Sequence, residues 1–145
     1  MNERTIANLG APDLAVMGFQ LWVHNRSELN VGGDATWLSV TAHCGAHGAS
    51  VWVSGEMLED RDLRRFRDQA AAAHQTLSGD VVLESFEPNL CVRLTDWDEL
   101  GNCRVIVEIT PNSVTQSHRM TFSADQSLLP GIVAECDALL NKFPS

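Results

Sequence analysis

The sequence predicts an α+β domain: an antiparallel sheet of about seven strands with two helices packed on one face. Three observations predict it. Seven short stretches alternate apolar and polar residues, two longer ones place apolar residues at helical spacing, and the order is βββαββββα. Successive strands joined by short Gly, Pro and Asn connections pair antiparallel, which leaves one sheet face for the helices. A chain of 145 residues, 44% of them hydrophobic, fits a single domain over residues 1–145 with one core.

Residues 1–14 are polar and irregular as far as "GAPD" and are expected to form a loose arm. In "FQLWVH", Phe19, Leu21 and Val23 alternate with Gln20, Trp22 and His24, the period of a half-buried strand. "RSELNVGGDA" is a loop, with Gly32-Gly33 as its strongest breaker. "TWLSVTAH" opposes Leu38, Val40 and Ala42 to Trp37, Ser39 and Thr41, and "ASVWVSG" opposes Val51 and Val53 to Ser50, Trp52 and Ser54. These two runs form a hairpin, with residues 43–48 expected at its tip, where Gly45 and Gly48 give the turn its backbone freedom.

"EDRDLRRFRDQAAAAHQTLSG" reads as a helix, with Glu59, Asp60 and Asp62 at the end where the helix dipole favours acids. Leu63, Phe66, Ala70, Ala73 and Leu77 make its apolar stripe, and Gly79 stops it. Arginines 61, 64, 65 and 67 are interleaved with aspartates, as on a solvated mixed-charge face. Four more strands follow in "DVVLESF", "NLCVRLTDW", "NCRVIVEIT" and "HRMTFSA". "SLLPGIVAECDALLNKF" closes the chain as a helix, with Ser127 as N-cap, Pro130 in the first turn, and Leu129, Ile132, Val133, Cys136, Leu139 and Leu140 on its apolar face.

Lys and Arg total 10 against 19 for Asp and Glu, a net charge of −9. Such a surface repels nucleic-acid phosphates and speeds encounter with a basic partner. No apolar run approaches the roughly 20 residues of a membrane span, and the first residues lack a secretory pattern, so a cytoplasmic location is expected. Cysteines 44, 91, 103 and 136 form no CxxC pair and read as free thiols.

The stretch "VTAHCGAHGASV" gathers His43, Cys44 and His47, three residue types that bind metals. The other histidines, at 24, 74 and 118, are scattered and no HExxH is present, so the stretch reads as a turn and neither a metal nor a cofactor is expected. His43 and Cys44, as neighbours on a strand, face opposite sides and make no nucleophile–base pair. Glu84, Asp96 and Glu108 are carboxylates that a sheet can bring together, but no Gly-rich phosphate loop or nucleophile elbow accompanies them. The sequence therefore assigns no catalytic residue and predicts a non-enzyme. A second reading keeps a small-molecule or enzymatic pocket lined by His43, His47 or His118.

The tryptophans carry the positive signal. Trp22, Trp37 and Trp52 each stand on the polar side of their own strand, and Trp97 ends another strand within "TDWDEL". Tryptophan dominates the energy of many interfaces, and Asp96, Asp98 and Glu99 form an acidic rim suited to a partner's Lys or Arg. These seven residues are the candidate partner-binding set. The face they mark has three possible uses: a partner or homodimer surface, a second small core closed by strand curvature or the arm, or a ligand pocket.

"FQLWVHNRSE", "DLRRFRDQAAAAHQTLSGDVVLESFEPNLCVRLTD" and "SADQSLLPGIVAECDALL" span most of residues 19–140. In these pieces the chain resembles the WapI-type immunity proteins of bacterial polymorphic-toxin systems. The middle piece has the family-like succession of helix, Ser-Gly stop, strand, acidic turn and strand. The resemblance implies a small cytosolic α+β protein that neutralises a cognate toxin by binding and occluding it, without catalysis or cofactor. The acidic balance suits a toxin that is a basic nuclease.

Overall fold

Each strand has one apolar side to bury, and eight strands do so from two separate antiparallel sheets of four, each followed by a helix. The architecture is that of a computed structural model, which describes residues 8–27, 36–87 and 89–143. Residues 1–7 of the expected arm, and the expected 26–35 loop from residue 28 onward, lie outside the described residues. The first sheet runs β1 (Leu14–Val16), β2 (Phe19–Arg26), β3 (Trp37–Ala46), β4 (Ala49–Glu59), and α1 (Asp60–Thr76) follows without a break. The second runs β5 (Val81–Glu84), β6 (Leu90–Thr95), β7 (Asn102–Ile109), β8 (Arg119–Asp125), followed by a 3₁₀ turn (Gln126–Leu128) and α2 (Leu129–Lys142).

The fold is α+β, as the sequence predicts, with the strands shared between two sheets. The added strand is β1. Leu14 and Val16 pair with Leu21 and Phe19 across a turn at Met17-Gly18. The segment before it also follows β2: Asp13 N–H donates to Leu21 O at 2.8 Å, and Asp13 Oδ2 accepts from Val23 N–H at 2.8 Å. Asp13 of the expected arm therefore continues the contact with β2, whose edge amides would otherwise go unpaired.

The helices close two of the sheet edges. Gln69 on α1 accepts the Val82 N–H of β5 through Oε1 at 2.8 Å, and Glu135 on α2 accepts the Ala15 N–H of β1 at 3.1 Å. α1 and α2 pack on each other, and β3 and β4 approach β7 and β8. Phe19, Leu21 and Val40 of the first sheet join Leu83, Val92 and Val105 of the second in one buried cluster with Phe66, Ala70, Ile132 and Cys136 of the helices. Arg67 on α1 pairs with Asp137 on α2 at 2.9 Å.

Three local expectations are corrected. The β3–β4 tip is His47-Gly48 alone, with φ of 50° and 87°, the two left-handed residues of a type I′ turn. The ladder persists to Ala46↔Ala49, so His43, Cys44 and Gly45 belong to β3 and not to the tip. At the start of α2, Asp125 is the capping side chain: its Oδ1 accepts the Ser127 N–H at 2.8 Å and caps the 3₁₀ turn, displacing Ser127 from that role. α1 ends on Leu77, left-handed at φ 51°, with its N–H bonded to Ala73 O at 2.7 Å, ahead of Gly79.

The start of α1 is a capping box: Glu59 N–H donates to Asp62 Oδ2 at 2.9 Å, and the Glu59 carboxylate accepts the Asp62 N–H. Arg61, Arg64 and Arg65 pair with Glu59, Asp60 and Asp62, all three acids being buried. Burial pushes the Asp62 carboxyl above the ordinary aspartate value of 3.8, and the Glu59 charge adds to this. A raised carboxyl favours the fold only below its unfolded pKa and costs stability as pH rises through the folded one. Asp62→Asn keeps an acceptor for Glu59 N–H. It is expected to melt at or above the wild-type temperature at pH 7, with the gap closing toward pH 4, as pH-dependent thermal melts would show.

Candidate functional site

The outer face of the first sheet is where the predicted tryptophans meet. Register places Gln20, His43 and Trp52 in one row across β2, β3 and β4, and Trp22, Thr41 and Ser54 in the next. The Trp22 and Trp52 rings stack with centroids 5.7 Å apart and planes inclined by 21°. Because β3 lies between their strands, the rings lean together above it, and the small Thr41 beneath them is only 2% exposed. A residue as large as leucine at position 41 would hold them apart.

Polar side chains fix this arrangement. The Trp22 indole N–H donates to Gly10 O at 3.1 Å, so the segment before β1 covers one edge of the ring. Trp22 is 6% exposed, while Trp52 remains half-buried. His43 lies 4.2 Å from Trp52 between ring centroids. Its Nδ1 donates to Gln20 Oε1 at 3.1 Å and its Nε2 accepts from Ser50 Oγ at 2.7 Å. Burial lowers its pKa, so the imidazole is neutral at pH 7. A second ladder runs His24 Nε2, Thr41 Oγ1, Ser54 Oγ at 2.8 and 2.9 Å. The face is thus a rigid aromatic platform framed by hydroxyl, amide and imidazole groups, suited to docking a surface.

Trp37 shares this face but sits at the far end of β3, opposite Glu59, where it borders a groove with Glu56, Met57 and Phe86. Trp97 is elsewhere. Its indole N–H donates to Gly79 O at 2.9 Å, and its ring lies half-buried against the core beside Leu77 at the end of α1.

The acidic turn near Trp97 is divided in its roles. Asp98 accepts from Leu100 N–H and Asn102 N–H at 2.9 Å and from Asn102 Nδ2 at 3.0 Å. Those donors, with Asn102 foremost, hold its carboxyl below the usual aspartate range, so its charge is spent on shaping the turn. Asp96, left-handed at φ 58°, pairs with Arg104. Glu99 is exposed and makes no ion pair among the described residues.

The remaining candidates disperse. Cys44 is buried in the core on the side of β3 opposite His43, and His47 is exposed on the turn. His118 lies before β8 against Gln116 at 3.2 Å. Among the described residues no three His, Cys, Asp or Glu side chains gather as a metal site would need. Glu84 and Glu108 flank Cys91 in register, about 9–10 Å apart by strand spacing, and Asp96 lies beyond the end of β6. All four cysteines are free, and burial pushes the Cys44 and Cys103 thiols to about 11 and Cys136 to about 12. None is a thiolate at neutral pH.

Sequence reasoning missed Phe86. It reads as the last residue of the strand "DVVLESF", whereas β5 ends at Glu84 and leaves the ring outside the sheet. The following "EPN" was the available signal, since turn residues leave an adjacent aromatic without a sheet face to join.

Among the described residues no helix is long and apolar enough to cross a membrane. No curated protein and no solved structure matches the chain. A family model does, over residues 15–144, from β1 to the end of α2 and across both sheets: the chain belongs to the WapI-like immunity protein family.

Proposed function

We propose that this immunity protein neutralises a cognate bacterial toxin by binding it directly, in a stoichiometric complex without catalysis or cofactor. The family match over residues 15–144 carries the reading. The contact surface is the outer face of the first sheet, with Trp52 and Trp37 at its two ends and Trp22 as the support beneath Trp52. Trp97 and the exposed Glu99 form a separate acidic contact, presented by the turn that Asp96 and Asp98 shape. A net charge of −9 suits a basic toxin such as a nuclease, whose own positive surface serves a nucleic-acid substrate. The complex forms in the cytoplasm, where the toxin would otherwise act.

The test is purification of the tagged full-length chain from its native bacterium at moderate salt, with mass spectrometry of what accompanies it. Recovery of the C-terminal domain of a large secreted protein in equal amount is expected. A chain that comes through without such a partner while the toxin is being expressed would count against the proposal.

A further inference from the structure

Phe86 is 79% exposed on the loop between β5 and β6, and it is the one aromatic among the large exposed hydrophobic residues described. The residues at the two ends of that loop are tied down. Ser85 N–H donates to Leu90 O at 2.9 Å, and the buried Ser85 hydroxyl accepts the Leu90 N–H at 3.1 Å. Asn89 and Thr110 tie the loop to the end of β7 through two bonds of 2.9 Å. An apolar ring presented next to a tied residue such as Ser85 loses less freedom when a partner covers it, a condition under which a single side chain contributes strongly to affinity.

The surroundings state the partner's charge. Phe86 stands where three depressions meet, one of them walled by Trp37 and Met57. Glu56, Glu84 and Glu87 border these depressions and make no ion pair among the described residues. Arg61 and Arg65, the cations that border one of these depressions, are engaged with Glu59 and Asp62. Three uncompensated carboxylates around one exposed ring fit a surface that offers an apolar recess among Lys and Arg side chains.

We infer that Phe86 is the anchor of the toxin complex: its ring enters an apolar recess on a basic toxin surface, and the surrounding lysines and arginines pair with Glu56, Glu84 and Glu87. This deepens the proposed function, rests on it, and extends the Trp37 end of the proposed face. The ring's exposure separates binding from folding, because Phe86→Ala removes almost no buried area.

The experiment is calorimetric titration of the full chain with the toxin domain recovered by the co-purification above, at low and high salt. Phe86→Ala is expected to weaken binding about 30-fold or more with an unchanged melting temperature. The Glu56→Gln/Glu87→Gln double variant is expected to lose about tenfold at low salt and to show a shallower salt dependence than wild type. Wild-type binding that Phe86→Ala leaves intact would overturn the anchor and leave the immunity reading standing. No binding by the wild-type chain would remove the immunity reading and the anchor with it.

Discussion

Replacing Trp22 with alanine is expected to lower the unfolding free energy by about 3–5 kcal/mol, the range for truncating a large buried aromatic. The ring is 6% exposed although it stands on the outer face of its sheet. Three contributions are lost together. The first is the burial of the ring itself, and the second is its stack on Trp52 at 5.7 Å, about 0.5–1.5 kcal/mol beyond area. The third is the N–H bond to Gly10 O at 3.1 Å, which ties the segment before β1 to the sheet. Trp22→Phe restores much of the first two and none of the third. Trp52→Ala removes the half-buried partner of the same stack, so a smaller loss of stability is expected, with weakened toxin binding. Chemical denaturation of the three variants checks this: a loss below about 1 kcal/mol for Trp22→Ala would show that the ring is not the support of the platform.

Gly18→Ala is expected to cost about 1–3 kcal/mol or more, a fall in melting temperature of roughly 4–10 °C. The cause is space. A Cβ at position 18 would lie 2.3 Å from Gly45 O and 2.8 Å from a ring carbon of Phe122. Gly45 also donates its N–H to Gly18 O at 3.1 Å, so the β1–β2 turn, β3 and the second sheet's β8 are locked at one point. The phenyl ring can rotate away, but the carbonyl belongs to the β3 backbone and is not free to move. Trimming the ring with Phe122→Ala should therefore rescue Gly18→Ala only slightly, as a double-mutant cycle would measure. Full rescue would mean that the ring, and not the backbone, sets the limit. Gly48→Ala is the control: its Cβ meets nothing within 4 Å, so only the left-handed φ of 87° is penalised.

Parity along β2, β3 and β4 was enough to place Trp22, Trp37 and Trp52 on one side of their sheet, because a half-buried strand has a strict period of two. Parity says nothing about which rings touch. The Trp22–Trp52 stack depends on two registers, Trp22 with Thr41 across β2 and β3 and His43 with Trp52 across β3 and β4, only the second being set by the two-residue turn at His47-Gly48. The division into two sheets was hidden for a related reason: short connections predict antiparallel neighbours, and a helix between β4 and β5 leaves open whether the ladder resumes beyond it. β1 escaped notice because three residues show too little alternation, although Leu14, Val16, Phe19 and Leu21 continue one apolar pattern through Met17-Gly18. Charge in the 96–99 turn was legible as composition. That Asp98 is consumed by its own backbone, and Asp96 by Arg104, was not, since both partners arrive only when the turn closes.

The most direct measurement is titration of toxin activity with increasing amounts of the full-length chain. Inhibition by occlusion predicts a linear fall that reaches zero at one chain per toxin, with the complex isolable intact at that point and the toxin active again once it is dissociated. Protection by far less than one equivalent, or a toxin left permanently altered after separation, would show a catalytic inactivator and contradict the binding mechanism.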